Sequence, residues 1–385
     1  MAESYDVIVV GLGAMGSATL YHLARRGARV LGLEQFAPGH TLGSSHGDSR
    51  IIRELYFEHP LYVPLVQRAY ELWEALERDA GEELLRYTGG LMVGSPESAL
   101  VRGARRSAES HGIAYELLTH EQIRSRCPAF DPPGDYVAVW DARAGFLRPE
   151  ACNQAHVRLA VQAGAQVRYE EPVTRWTTDG EGVRVITARG EYRAARLIVC
   201  VGSWTKSFMP ELDLPLQVER QVLTWFDVPA SRAWYEPERF PVFLCEFEEG
   251  HQIYGFPRLQ RGVKTAIFHE GALSATPDAV AREVTPTDIE ALRGRLARIL
   301  PELAVASVRE TVTCLFTNTP DGHFLVDFHP AHPQVLLSSP CSGHGFKFAS
   351  ALGEMQADLL LDGRTRFDLQ PFSLSRFVRQ SGAGP

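Results

Sequence analysis

Apolar residues along the chain follow two rhythms, and the first appears at once. Asp6-Val-Ile-Val-Val10 is an unbroken β-branched run, the pattern of a strand covered on both faces in a parallel sheet. It leads into Gly11-Leu-Gly13-Ala-Met-Gly16. Ala14–Arg26 then carries apolar residues at helical spacing, Gly27 closes that helix, and Ala28–Leu33 reads as the next strand, ending on Glu34. Pro60–Arg78 predicts an amphipathic helix with Leu65, Ala69, Leu72 and Leu76 on one stripe. Further on, the pattern predicts a strand over 86–94, helices over 97–111 and Pro149–Ala163, and extended segments at Gln166–Tyr169 and Glu171-Pro-Val173. Gly182–Ala188 alternates as a strand. Arg196-Leu-Ile-Val-Cys-Val-Gly202 is a second fully apolar strand ending on glycine, and it returns the chain to the first sheet.

The second rhythm occupies 219–314, which is rich in aromatic and β-branched residues. Gln221–Phe226, Val242–Phe247, Gln252–Phe256 and Val263–Phe268 predict an antiparallel sheet. One helix interrupts it, with Thr285 as N-cap and Pro286 at its first position, running to about Leu300. The expected fold class is α/β: a dinucleotide-binding layer built from 1–85, 146–218 and 315–378, and an antiparallel-sheet α+β domain built from 86–145 and 219–314. Residues 379–385 are expected to form a flexible tail.

Composition narrows the function. The 385 residues are 45% hydrophobic, enough for sizeable cores. Lys and Arg number 39 against 47 Asp and Glu, a formal net charge of −8 that disfavours nucleic acid as partner. No apolar run reaches membrane-span length, and Met1–Tyr5 does not read as a secretory leader. Six scattered cysteines without CxxC pairs argue against a zinc site or a disulfide framework and suit the cytoplasm. No metal is expected.

The glycine turn carries the first chemistry. Gly11, Gly13 and Gly16 let the backbone approach a pyrophosphate at the positive end of the following helix, and Glu34 can accept hydrogen bonds from ribose hydroxyls. The acid favours FAD or NAD over NADP; the turn alone leaves those two open.

Three further segments are more specific: Gly43-Ser-Ser-His46-Gly-Asp48-Ser-Arg50-Ile-Ile-Arg53, Thr313-Cys314-Leu-Phe-Thr-Asn-Thr, and Ser342-Gly343-His344-Gly345-Phe-Lys347-Phe. With them the chain resembles the monomeric sarcosine oxidase and N-methyltryptophan oxidase family from about residue 5 to 378. The closing segment, Phe367 to Phe377, is similar to the N-methyltryptophan branch. That family couples a glutathione-reductase-type FAD domain to a sheet-based substrate domain and oxidises secondary amines with oxygen.

The resemblance implies FAD joined covalently through Cys314, with His46, Arg50, Val173, Gly202, Trp204, Gly343, His344, Gly345 and Lys347 among the cofactor contacts. It further implies that Arg53 and Lys347 hold the carboxylate of a small amine substrate. Tyr254 lies in the substrate cavity, Lys264 assists oxygen, and His269 sits by the substrate amine.

The family spaces that lysine and histidine four residues apart; here the interval is five. On a regular strand five puts the two side chains on opposite faces, so either a bulge adds a residue, or one of the two has lost the role and Thr265 faces the flavin instead. Phe316 stands where sarcosine oxidases have tyrosine, and Glu54 and Ser45 replace histidines. The expected activity is oxidation of an N-methyl amino acid to the demethylated amino acid, formaldehyde and hydrogen peroxide, by a monomer. The alternatives are a flavin dehydrogenase with another acceptor and a non-catalytic NAD-binding protein.

Overall fold

The structure, a computed structural model, describes residues 4–378; the predicted tail at 379–385 lies outside them. The opening strand Ser4–Val10 is the centre of a parallel array. It pairs with Val30–Leu33 on one side and with Glu191–Val199 on the other. Gln166–Arg168 extends one edge and His332–Ser339 the other, both parallel. The first half of Glu191–Val199 pairs instead with Val183–Thr187, antiparallel. Helices Ala14–Arg25, Val63–Ala80, Pro149–Gln162 and Ala349–Asp362 share one apolar cluster, with Trp73 fully buried in it.

The glycine turn shows why it contains glycine. A Cβ on Gly16 would lie 1.7 Å from the Gly11 carbonyl oxygen, so helix and strand approach only without one.

The second layer is a nine-stranded sheet in which Gln217–Asp227, Val242–Glu248, His251–Leu259, Gly262–Phe268 and Ser307–Asn318 take part. The last of these runs antiparallel along the whole of Gln217–Asp227. Cys314 therefore sits within a strand of this sheet.

Two expected elements differ. The strand expected over 86–94 is two, Leu85–Tyr87 and Gly90–Gly94, in different sheets. The break falls at Gly89, whose φ is +71° and where a Cβ would lie 2.2 Å from the Trp140 ring. The helix expected to reach Leu300 is Pro286–Leu296. Pro301 begins a separate turn and keeps Leu300 out of the helical region.

A three-stranded sheet of Arg50–Ile52, Gly145–Leu147 and Leu85–Tyr87 lies beside both larger sheets and presents Arg50 and Arg53. No helix among the described residues is long and apolar enough to cross a membrane.

Candidate active site

One cleft starts at the carboxyl end of the parallel strands. Its first compartment is lined by Gly11, Glu34, Phe36, Val173, Gly202 and Trp204. Glu34 is 6% exposed; its Oε2 accepts the Leu12 amide at 2.8 Å and its Oε1 the Phe36 amide at 3.0 Å. Gly13, Cys200 and Gly202 line both this compartment and an inner cavity, so the two are continuous past the amino end of Ala14–Arg25. That helix end, the fixed acid and a continuous path to a thiol fit a dinucleotide with a flavin at its far end.

The inner cavity gathers Arg50, Arg53, Tyr254, Cys314, Lys347 and the turn of Gly343, His344 and Gly345. Arg50 donates to the carbonyls of Ser44 (2.9 Å) and Ser49 (2.8 Å), and its Nη2 lies 3.6 Å from Cys314 Sγ.

Arg53 is 2% exposed. Its Nη2 meets both Glu58 oxygens, at 2.6 and 2.7 Å, and its Nη1 donates to the Leu55 carbonyl. Burial pushes Glu58 up, but Arg53, His344 and Lys347 outweigh this and hold it below the usual carboxylate range. Lys347 is buried, with Nζ donating to the His344 carbonyl at 2.7 Å. Burial, helped by the repulsion of Arg53 and opposed by Glu58, lowers it to about 7.

His344 lines the cavity, held by Tyr56 Oη at 2.6 Å and the Gly322 carbonyl at 3.0 Å; burial brings it down to about 4.

The five-residue interval is accommodated at the end of the strand. Lys264 pairs with Trp225 across the sheet and shares the face of Leu223, Ala266 and Cys314, whereas Thr265 pairs with Thr224 on the other face. Thr265–Phe268 pair in regular register with Gln252–Gly255, and the one register shift of this ladder lies in the partner strand, between Gly255 and Arg258 opposite Lys264. The strand simply ends at Phe268, and His269 turns back in a left-handed conformation (φ 60°). Lys264 stands one layer behind the cavity wall, its Nζ donating to the Gly47 carbonyl at 2.7 Å and the Ser49 carbonyl at 2.6 Å. Burial and Arg50 push it well below the ordinary lysine range.

His269 lies against Phe268 and Phe316, ring centroids 4.3 and 5.4 Å away, and lines an outer vestibule rather than the inner cavity.

Two expected cofactor contacts fall elsewhere. His46 is buried within its own loop, Nε2 on the Gly43 carbonyl at 3.1 Å, and does not line the cleft. Gly16 serves the helix–strand approach instead. Of the two replaced histidines, Ser45 lines the cavity, while Glu54 faces away toward Gln67 and Arg143.

Three carboxylates escaped the sequence reading as site residues. Besides Glu58, these are Glu150, which accepts the Gly47 and Asp48 amides, and Glu219, which meets His269. A signal existed for the last: Glu219 keeps phase with Gln221, Leu223 and Trp225, so it is a charge on a buried face.

A family model described as FAD dependent oxidoreductase matches residues 6–359. The chain is 44% identical over 382 residues to a protein named monomeric sarcosine oxidase from Streptomyces avermitilis, covering 98% of this chain and 99% of that one. It is 38% identical to N-methyl-L-tryptophan oxidase of Escherichia coli over 97% and 99% of the two chains. The solved structure of NikD, an amino acid oxidase of nikkomycin biosynthesis, matches with a TM-score of 0.82 and 25% identity over 96% of this chain and 97% of that one.

Proposed function

Because the chain belongs to the family of FAD-dependent oxidoreductases, we propose that it carries FAD in this cleft, bonded to Cys314, and oxidises an N-methyl amino acid with oxygen. The products are the demethylated amino acid, formaldehyde and hydrogen peroxide, and the enzyme works as a cytoplasmic monomer. The names of its relatives support this class of substrate. The observation that carries the reading is the convergence of two buried cations, Arg53 and Lys347, on the cavity that also contains Cys314 and Arg50.

The bound flavin supplies the hydride acceptor and the route for electrons to oxygen. The chain's own residues orient and discriminate. Arg53 and Lys347 bind the carboxylate, fixing the C–N bond relative to the cofactor. Tyr254, Phe268 and Phe316 exclude water and give the remaining wall an apolar character. Lys264, held behind the cavity wall by the Gly47 and Ser49 carbonyls, is the group we assign to the oxygen step.

A peroxide assay across sarcosine, N-methyltryptophan and their unmethylated parents tests the reading. Peroxide with the methylated compounds supports it, and flavin reduction without peroxide would make the protein a dehydrogenase. In Lys264→Met, reoxidation of the bound flavin by oxygen should slow about a hundredfold, with its reduction by substrate little changed. Stopped-flow absorbance separates the two half-reactions, and the opposite partition would remove Lys264 from the oxygen step.

Lys347 gives a pH signature. With its pKa at about 7 it is cationic below neutrality and loses its charge above. Glu58 is held low and His344 at about 4, so neither changes charge in that window. The affinity of an amine-free carboxylate should therefore weaken above pH about 7, at most tenfold per pH unit. Lys347→Met should flatten that dependence; an unchanged slope in the variant would assign it elsewhere.

A further inference from the structure

His269 and Glu270 both adopt left-handed backbone angles, φ 60° and 66°, unusual for two successive residues with side chains. Gly271 follows, so close to the next strand that a Cβ would lie 1.6 Å from the Arg220 carbonyl oxygen. This turn folds His269 back over Gln217–Asp227, where Glu219 is only 4% exposed. Glu219 Oε2 lies 3.0 Å from His269 Nδ1 and accepts Asn318 Nδ2 at 2.5 Å. Its Oε1 accepts Gln221 Nε2 at 2.7 Å and the Gly271 amide at 2.8 Å. Four donors thus converge on two oxygens. Among the described residues no lysine or arginine pairs with this carboxylate; the imidazole is its ion-pair partner.

Burial raises the Glu219 pKa, but His269, the Gly271 amide and Asn318 outweigh burial and hold it below the usual range. An ionised carboxylate only accepts hydrogen bonds, so the neutral imidazole must carry its proton on Nδ1. Nε2 is then a bare acceptor. Among the described residues it makes no hydrogen bond, and the ring, with 37% of its side chain exposed, borders the vestibule. Phe268 belongs to the walls of both vestibule and inner cavity, so His269 stands at the mouth of the substrate site.

We propose that Glu219 is a positioning residue that fixes His269 as the Nδ1–H tautomer and presents Nε2 to the amine of the incoming substrate. The inference rests on the reading of the inner cavity as an amine-oxidising site. Nε2 takes one proton from the substrate ammonium, leaving a neutral amine with a free electron pair and an imidazolium. Nδ1–H stays hydrogen-bonded to Glu219, which remains a carboxylate and stabilises the new positive charge. The left-handed turn explains how an interval of five residues brings this ring to the mouth of the site without an extra residue in its own strand.

Two measurements test this. In FAD-loaded enzyme labelled with nitrogen-15 histidine, the His269 signals, assigned by their loss in His269→Gln, should report a protonated Nδ1 and an unprotonated Nε2. The opposite tautomer in the parent would overturn the proposal, and this spectrum decides even if Glu219→Gln fails to fold. The second measurement is the limiting rate of flavin reduction in the parent, Glu219→Gln, His269→Gln and the double variant. Each single change should slow reduction about tenfold or more, and the double variant should be no slower than His269→Gln. Losses that multiply would make Glu219 a purely structural residue. Should the parent reduce its flavin with no N-methyl amino acid, the functional reading fails, while the tautomer result still judges the Glu219–His269 pair.

Discussion

Acid precipitation of Cys314→Ser is expected to leave the yellow colour in the supernatant, whereas the parent keeps it in the pellet. Three thiols, Cys200, Cys314 and Cys341, line the inner cavity, and their surroundings differ; burial pushes the Cys200 thiol up to about 12. Cys314 is 1% exposed and has the Arg50 guanidinium 3.6 Å from its sulfur. Burial pushes the Cys341 thiol up to about 11, only partly offset by hydrogen bonds with Ser339 and Thr317. Cys341→Ser should therefore retain its colour in the pellet. The bonded fraction, read from the protein band's fluorescence under denaturing conditions, should fall from nearly all to none in Cys314→Ser alone. Colour retained in that variant and lost in Cys341→Ser would exchange the two assignments.

Arg53→Ala should lower kcat/KM for a carboxylate-bearing substrate by about a thousandfold, roughly 4 kcal/mol, the scale for removing one partner of a buried, hydrogen-bonded charge pair. Flavin content should not change, because Arg50 rather than Arg53 stands beside Cys314. The effect has two sources. Arg53 is lost as a carboxylate ligand, and Glu58 is left buried without its guanidinium, a negative charge facing the incoming anion. Glu58→Gln separates them: with Arg53 intact and freed from its partner, carboxylate binding should tighten. Steady-state kinetics with the substrate and its carboxylate-free amine provide the check. Equal losses for both compounds in Arg53→Ala would mean that Arg53 supports the fold rather than the carboxylate.

What the sequence made legible is local. The opening strand, glycine turn, helix and acid are contiguous, and each element follows from residues a few positions apart. Arg53, Tyr254, Cys314 and Lys347 stand out because short segments around them resemble a known family, and all four line one cavity. The misses depend on partners far along the chain. Gly89 breaks a strand because Trp140, some fifty residues on, occupies the space beside it. Glu219 meets His269 only through the register of two strands and a left-handed turn that no residue pattern announces. His46 reads as a cofactor contact from its neighbours, yet the backbone turns its ring into the loop.

That loop has a mechanical consequence. Residues 43–50 contain almost no regular structure, yet three separate elements grip them. Glu150, at the start of Pro149–Gln162, takes the Gly47 and Asp48 amides; Lys264 takes the Gly47 and Ser49 carbonyls; Arg50 ties back to Ser44 and Cys314. The segment is cross-braced like a node in a truss, and releasing it means detaching a helix and two strands together. An irregular stretch here inherits the stiffness of the sheets around it, which suits a wall that must hold the Arg50 guanidinium at fixed distance from a sulfur.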